Sequence, residues 1–81
     1  MLIVEWIYRE EITEEKITYN YYPEGKEKFG TISLMRKDGE RVIDKLCESD
    51  KFRTYAFQAL RCLEEYQAKN EFPEKDLIMW Y

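Results

Sequence analysis

The chain has 81 residues, 44% of them hydrophobic and 16% aromatic, with 13 basic against 17 acidic side chains and a formal charge of −4. At this length only about 60% of the unfolded surface can be buried, so a single small domain spanning residues 1–81 with one core is expected, its bulk supplied by large rings. The acid excess disfavours generic affinity for phosphate backbones or anionic lipid, and no run approaches the ~20 apolar residues that cross a bilayer.

The opening MLIVEWIYRE carries Glu5 inside its apolar stretch and has no basic segment before it, so it does not read as a signal peptide, and the chain is expected to be cytoplasmic. From Leu2 to Arg9 the residues alternate, Leu2, Val4, Trp6 and Tyr8 making a strongly apolar face and Ile3, Glu5, Ile7 and Arg9 a mixed one, which predicts a first strand. A second follows in ITYNYY, with Ile17, Tyr19 and Tyr21 on one side. Tyr22-Pro23-Glu24-Gly25 then fits a type I turn. In FGTISLMR, Ile32 and Leu34 oppose Phe29, Thr31, Ser33 and Met35, and Asp38-Gly39 leads as a hairpin signal into RVIDKLC.

One long helix is predicted from Lys51 to about Lys69, capped by Ser49 or Asp50, with Phe52, Tyr55, Ala56, Ala59, Leu60, Cys62, Leu63 and Tyr66 forming its apolar stripe. Phe57 projects off that stripe and needs a cover. Asn70 is a left-handed stop and Pro73 prevents continuation, leaving LIMWY as a new extended segment that either joins the sheet edge or covers Phe57. The expected fold is therefore α+β, an antiparallel β-meander of three to five strands packed on one C-terminal α-helix, with an extended C-terminal tail. Ile3, Ile7, Tyr22 and Met35 are expected on the sheet's second face.

Candidate chemistry is sparse. There is no His, which removes the usual proton shuttle near neutral pH and the commonest metal ligand. Cys47 and Cys62 are too far apart for a CxxC pair or a zinc set and read as free thiols; no DxDxDG calcium loop is present. No catalytic residue, cofactor or metal is expected. Three binding patterns remain. Phe57, Leu77, Met79, Trp80 and Tyr81 form a candidate protein-interaction surface, because such residues are enriched at interface hot spots; a second copy of the chain is one partner of that kind. Tyr22, Lys26 and Lys28 form a candidate ligand or nucleic-acid face, rings for stacking and lysines for phosphate. Glu10, Glu11, Glu14 and Glu15 form an acidic cluster able to mimic phosphates and inhibit a nucleic-acid enzyme.

The segments ITYNYYPEG, FGTISL, a DGE turn, CLEEY and the closing FPEKDLIMWY resemble a set of short uncharacterised proteins from anaerobic Gram-positive bacteria. The resemblance spans most of the chain and implies a bacterial cytoplasmic accessory protein. It brings no activity, cofactor or catalytic residue. The expectation is a non-catalytic protein-interaction module, accessory or regulatory in role.

Overall fold

A computed structural model describes residues 2–81. The alternating runs form four strands, β1 (Ile3–Ile12), β2 (Lys16–Pro23), β3 (Gly30–Met35) and β4 (Arg41–Lys45), followed by a helix, α1 (Thr54–Lys69), and a last strand, β5 (Lys75–Trp80). The sheet is antiparallel with strand order β4-β3-β2-β1-β5. The chain thus builds a meander outward to β4, crosses one face as α1, and returns beside β1. The expected architecture holds, and the tail is the fifth strand.

Two local expectations are corrected. Glu24, the third residue of the Tyr22–Gly25 turn, has φ 56°, where a type I turn requires about −90°. Gly25 follows at φ 69°, so the chain leaves Pro23 through two successive left-handed residues. The helix begins at Thr54 rather than Lys51, because Arg53 is also left-handed at φ 61°. Phe52 therefore precedes the helix and stands 87% exposed instead of joining its stripe. Asp50 does cap, from a distance: its carboxylate oxygens accept from the backbone N–H groups of Tyr55 (3.1 Å) and Ala56 (2.9 Å), which have no partner within the helix. Asn70 ends the helix at φ 55°, as its left-handed tolerance predicts.

The core lies between α1 and one sheet face. Ala56, Ala59, Leu60, Leu63 and Tyr66 of the helix close on Ile7, Ile17, Tyr19, Tyr21, Ile32, Leu34 and Ile78. The Tyr21 ring lies across Gly30: a Cβ there would sit 2.4 Å from Tyr21 Cε1 and 2.6 Å from the Lys45 carbonyl oxygen, so only glycine admits this packing.

β1 enters the sheet with the opposite face inward from the one its hydrophobicity suggests. Ile7, expected on the second face, is fully buried in the core, and so is Glu5 beside it. The strongly apolar side, Val4, Trp6 and Tyr8, faces away from α1. The register explains how: Ile7 stands opposite Tyr21 and Trp6 opposite Tyr22, and a bulge between Arg9 and Glu11 then lets Ile12, an odd number of residues from Ile7, also pack on the core. Tyr22 and Met35 lie on the second face as expected.

Segment 71–80 is secured by polar contacts as well as by strand pairing. Arg9 Nη1 donates to the Phe72 carbonyl at 2.7 Å, Tyr19 Oη to the Pro73 carbonyl and Tyr66 Oη to the Asp76 carboxylate, while the Arg36 guanidinium lies 5.2 Å from the Phe72 ring centre.

Candidate binding surface

With one helix and five strands, one sheet face is left without a covering layer. It divides into two halves. In the polar half, Ser33 Oγ donates to Asp44 (2.6 Å), which leaves the Thr18 hydroxyl to donate to Ser33 (2.9 Å); Thr31 Oγ1 donates to Asn20 Oδ1 (2.7 Å), and Asn20 Nδ2 to Glu10 (2.9 Å). These side chains satisfy one another, which lets Thr18 and Ser33 lie buried on this face.

The other half is apolar and aromatic. Across β2, β1 and β5, Tyr22, Trp6 and Leu77 stand in one row, with Val4 opposite Met79 in a neighbouring row. Tyr8 meets Tyr22 edge to face at 5.3 Å between ring centres, and Tyr22 stacks on Phe29 at 5.2 Å. Exposure remains high for residues of this type: 42% for Tyr8, 37% for Leu77 and 57% for Met79. Trp6, Tyr8, Tyr22, Gly25, Lys26 and Glu27 enclose an open cleft of about 360 Å³. Two ammonium groups already sit against rings of this half, Lys75 at 5.9 Å from Trp6 and Lys45 at 4.1 Å from Phe29, a favourable placement over the π-face.

Directly beneath, on the helix side of β1, Glu5 is 0% exposed and neither carboxylate oxygen has a hydrogen-bond partner among the described residues. Burial, reinforced by the negative charge of Asp50, pushes its carboxyl up to about 9, so the group is a neutral acid at pH 7. An exchange of faces in β1 would place Trp6 and Tyr8 in the core and Glu5 in water. The same exchange would bring the fully buried Ile7 out of the core.

The structure separates the residues that the sequence grouped. Leu77 and Met79 lie on the open face, whereas Trp80 turns to the helix side and meets Tyr55 edge to face at 5.3 Å. Tyr81 is 93% exposed. Phe57, 44% exposed, is remote from the tail: Glu64, two turns further on the same side of α1, pairs with Arg41 of β4 at 2.7 Å, while Tyr66 and Tyr55 occupy the side toward β5. The tail joins the sheet edge and does not cover Phe57. Of the proposed ligand face, Tyr22 and Lys26 line the cleft, but Lys28 leaves it to pair with Glu48 at 2.6 Å. Glu10, Glu11, Glu14 and Glu15 are all exposed around the first hairpin, where Arg36 Nη1 donates to the Thr13 carbonyl and places a cation among them.

Trp6 and Tyr8, which define the surface, are not singled out by the sequence, because their alternation marks a face without saying which way it points. Both cysteines are free; Cys47 is buried, and burial raises the half-buried Cys62 thiol to about 11, which keeps it protonated and unreactive. Among the described residues no three His, Cys, Asp or Glu gather as a metal site, and no helix is long and apolar enough to cross a membrane. No protein-family model, curated protein or solved structure matches this chain.

Proposed function

We propose that the chain is a non-catalytic protein-interaction module, an accessory or regulatory protein of the bacterial cytoplasm, whose working surface is the apolar half of the open sheet face. One observation carries this reading: β1 buries an unpartnered glutamate and turns Trp6, itself partly buried, and the exposed Tyr8 to the uncovered face. Local rules of burial are broken where function demands it, and here the break presents two aromatic anchors of the kind that dominate interface energetics. Leu77, Met79 and Tyr22 extend the patch, and the hydrogen-bonded polar half forms its rim. Exposed apolar clusters rimmed by polar groups mark protein contact sites.

The test is capture from native-host extract with the full chain as bait, beside a Trp6→Ser/Tyr8→Ser double variant of unchanged circular dichroism. Specific partners retained by the wild type and lost by the double variant support the reading. Equal retention by both, or none by either, removes it.

The cleft favours a second reading, a small planar ligand or nucleobase between Trp6 and Tyr22 with Lys26 at its rim. In that case nucleotides or short oligonucleotides shift the Trp6 indole N–H resonance; flat titrations across both classes eliminate it.

A further inference from the structure

The two edges of the sheet are finished differently. β4 is five residues long, its register with β3 breaks between Thr31 and Ile32, and its charged side chains are engaged: Arg41 by Glu64, Asp44 by Ser33, Lys45 over Phe29. Short length, irregularity and charge are the devices that stop an edge from recruiting another strand. β5 has six residues in unbroken register with β1, and its charges, Lys75 and Asp76, are confined to one end.

The backbone of β5 has groups to offer. Arg9 N–H donates to the Glu74 carbonyl at 2.8 Å, and the same register continues through Ile7 with Asp76, Glu5 with Ile78 and Ile3 with Trp80. In an antiparallel ladder these alternate residues bond to β1, so Lys75, Leu77 and Met79 direct their N–H and C=O groups to the free edge. Leu77 N–H confirms this orientation, since its partner is the neighbouring Asp76 carboxylate at 2.9 Å rather than β1. That local contact is a modest guard, which an incoming carbonyl replaces while Asp76 keeps its bond from Tyr66 Oη.

We infer that β5 pairs antiparallel with β5 of a second copy about a two-fold axis at Ile78, joining two five-stranded sheets into one of ten. The occupant is a second copy because the strand complements itself. This register opposes Leu77 to Met79 twice on the open face and Ile78 to Ile78 on the helix side, and sets Lys75 against Tyr81 and Asp76 against Trp80, so no like charges meet. Centring the axis on Asp76 would oppose two carboxylates. Two apolar patches of ordinary size, about 300–600 Å² each, would reach only the ~1,000 Å² threshold of a specific interface if packed face to face. Edge pairing adds ladder hydrogen bonds and leaves that face free. The guarded β4 edges close the assembly at two copies.

The inference goes beyond the protein-interaction reading, since it concerns the β5 edge and not the open face. The two apolar halves, each adjoining β5, merge across the axis into one larger patch for a third molecule.

Light scattering coupled to size exclusion tests the pairing on the full chain, with Met79→Pro and Trp6→Ser variants. Proline at 79 removes only an outward N–H, a position that an edge strand tolerates. The expected result is a wild-type particle of twice the 10.0 kDa chain mass, halved by Met79→Pro and unchanged by Trp6→Ser. A wild-type monomer at several hundred micromolar overturns the inference and leaves the capture result for Trp6 and Tyr8 untouched. A dimer dispersed by Trp6→Ser but not by Met79→Pro also overturns it, since the face would then be the contact. Amide exchange supplies a readout without substitution: the Met79 N–H exchanges more slowly in concentrated than in dilute wild-type protein if the edge is paired, and equally in both if it is not.

Discussion

On the face that α1 covers, Ile7, Ile17, Tyr19, Tyr21, Ile32 and Leu34 are at most 1% exposed, and the one charged-type residue among them, Glu5, is held there as a neutral acid. On the opposite face the same strands present Trp6, Tyr8, Leu77 and Met79 beside a network of mutually bonded Thr, Ser and Asn. Hydrophobicity alone would assign Trp6 and Tyr8 of β1 to the interior and Glu5 to water. The difference between the faces therefore separates what holds the domain together from what it displays, and each can be perturbed without the other.

The largest effect belongs to the covered face. Leu60, fully buried at the centre of α1, fills the space between helix and sheet, so Leu60→Ala removes burial and leaves a cavity, at a cost of about 2–5 kcal/mol. Against the roughly 5–15 kcal/mol typical of a domain this is a large share, readable as a lowered urea midpoint at unchanged slope. A loss under about 1 kcal/mol would mean that α1 does not close the core.

Glu5→Leu should have the next largest effect, in the stabilising direction. The folded carboxyl titrates near 9 and the unfolded one near 4.5, so between these values the unfolded chain holds fewer protons. Stability is then full below about pH 4.5, falls as pH rises through the window, and levels off above about 9. At pH 7 keeping the acid protonated costs about 3 kcal/mol. A leucine side chain has no proton to retain, so the variant's advantage in thermal midpoint should grow steadily from about pH 5 to about pH 9. A difference that does not vary with pH would show Glu5 to be solvated.

How far the sequence foretells this comparison depends on the element. Alternation suffices for β1 to β4, and Asn70 with Pro73 for the end of the helix, because these signals act within a few residues, whereas the tail reads equally as an edge strand or a cover for Phe57. The helix starts later than its capping residues suggest because Arg53 adopts a left-handed conformation that nothing in its side chain requires. The orientation of β1 is illegible for a different reason. Period-two alternation defines two faces, but which one meets the helix is set by the pairing of Ile7 with Tyr21 and by the bulge at Arg9/Glu11, both long-range choices. Hydrophobicity alone selects Trp6 and Tyr8 for the core, and the candidate site is missed with them.

The smallest effect is expected on the open face, where it is also the most informative. Tyr8 is 42% exposed and its one aromatic contact is the edge of Tyr22, worth about 0.5–1.5 kcal/mol. Tyr8→Thr keeps a side chain favoured in strands, so the loss should stay near about 1 kcal/mol, well below that of Leu60→Ala, in parallel urea titrations. If the two losses were equal, Tyr8 would be a structural member of the domain and the display reading of β1 would fail. A small loss would place Tyr8 among the displayed residues, leaving the orientation of β1 to be held by what it buries on the other side, Ile7 against Tyr21, and not by the ring it turns outward.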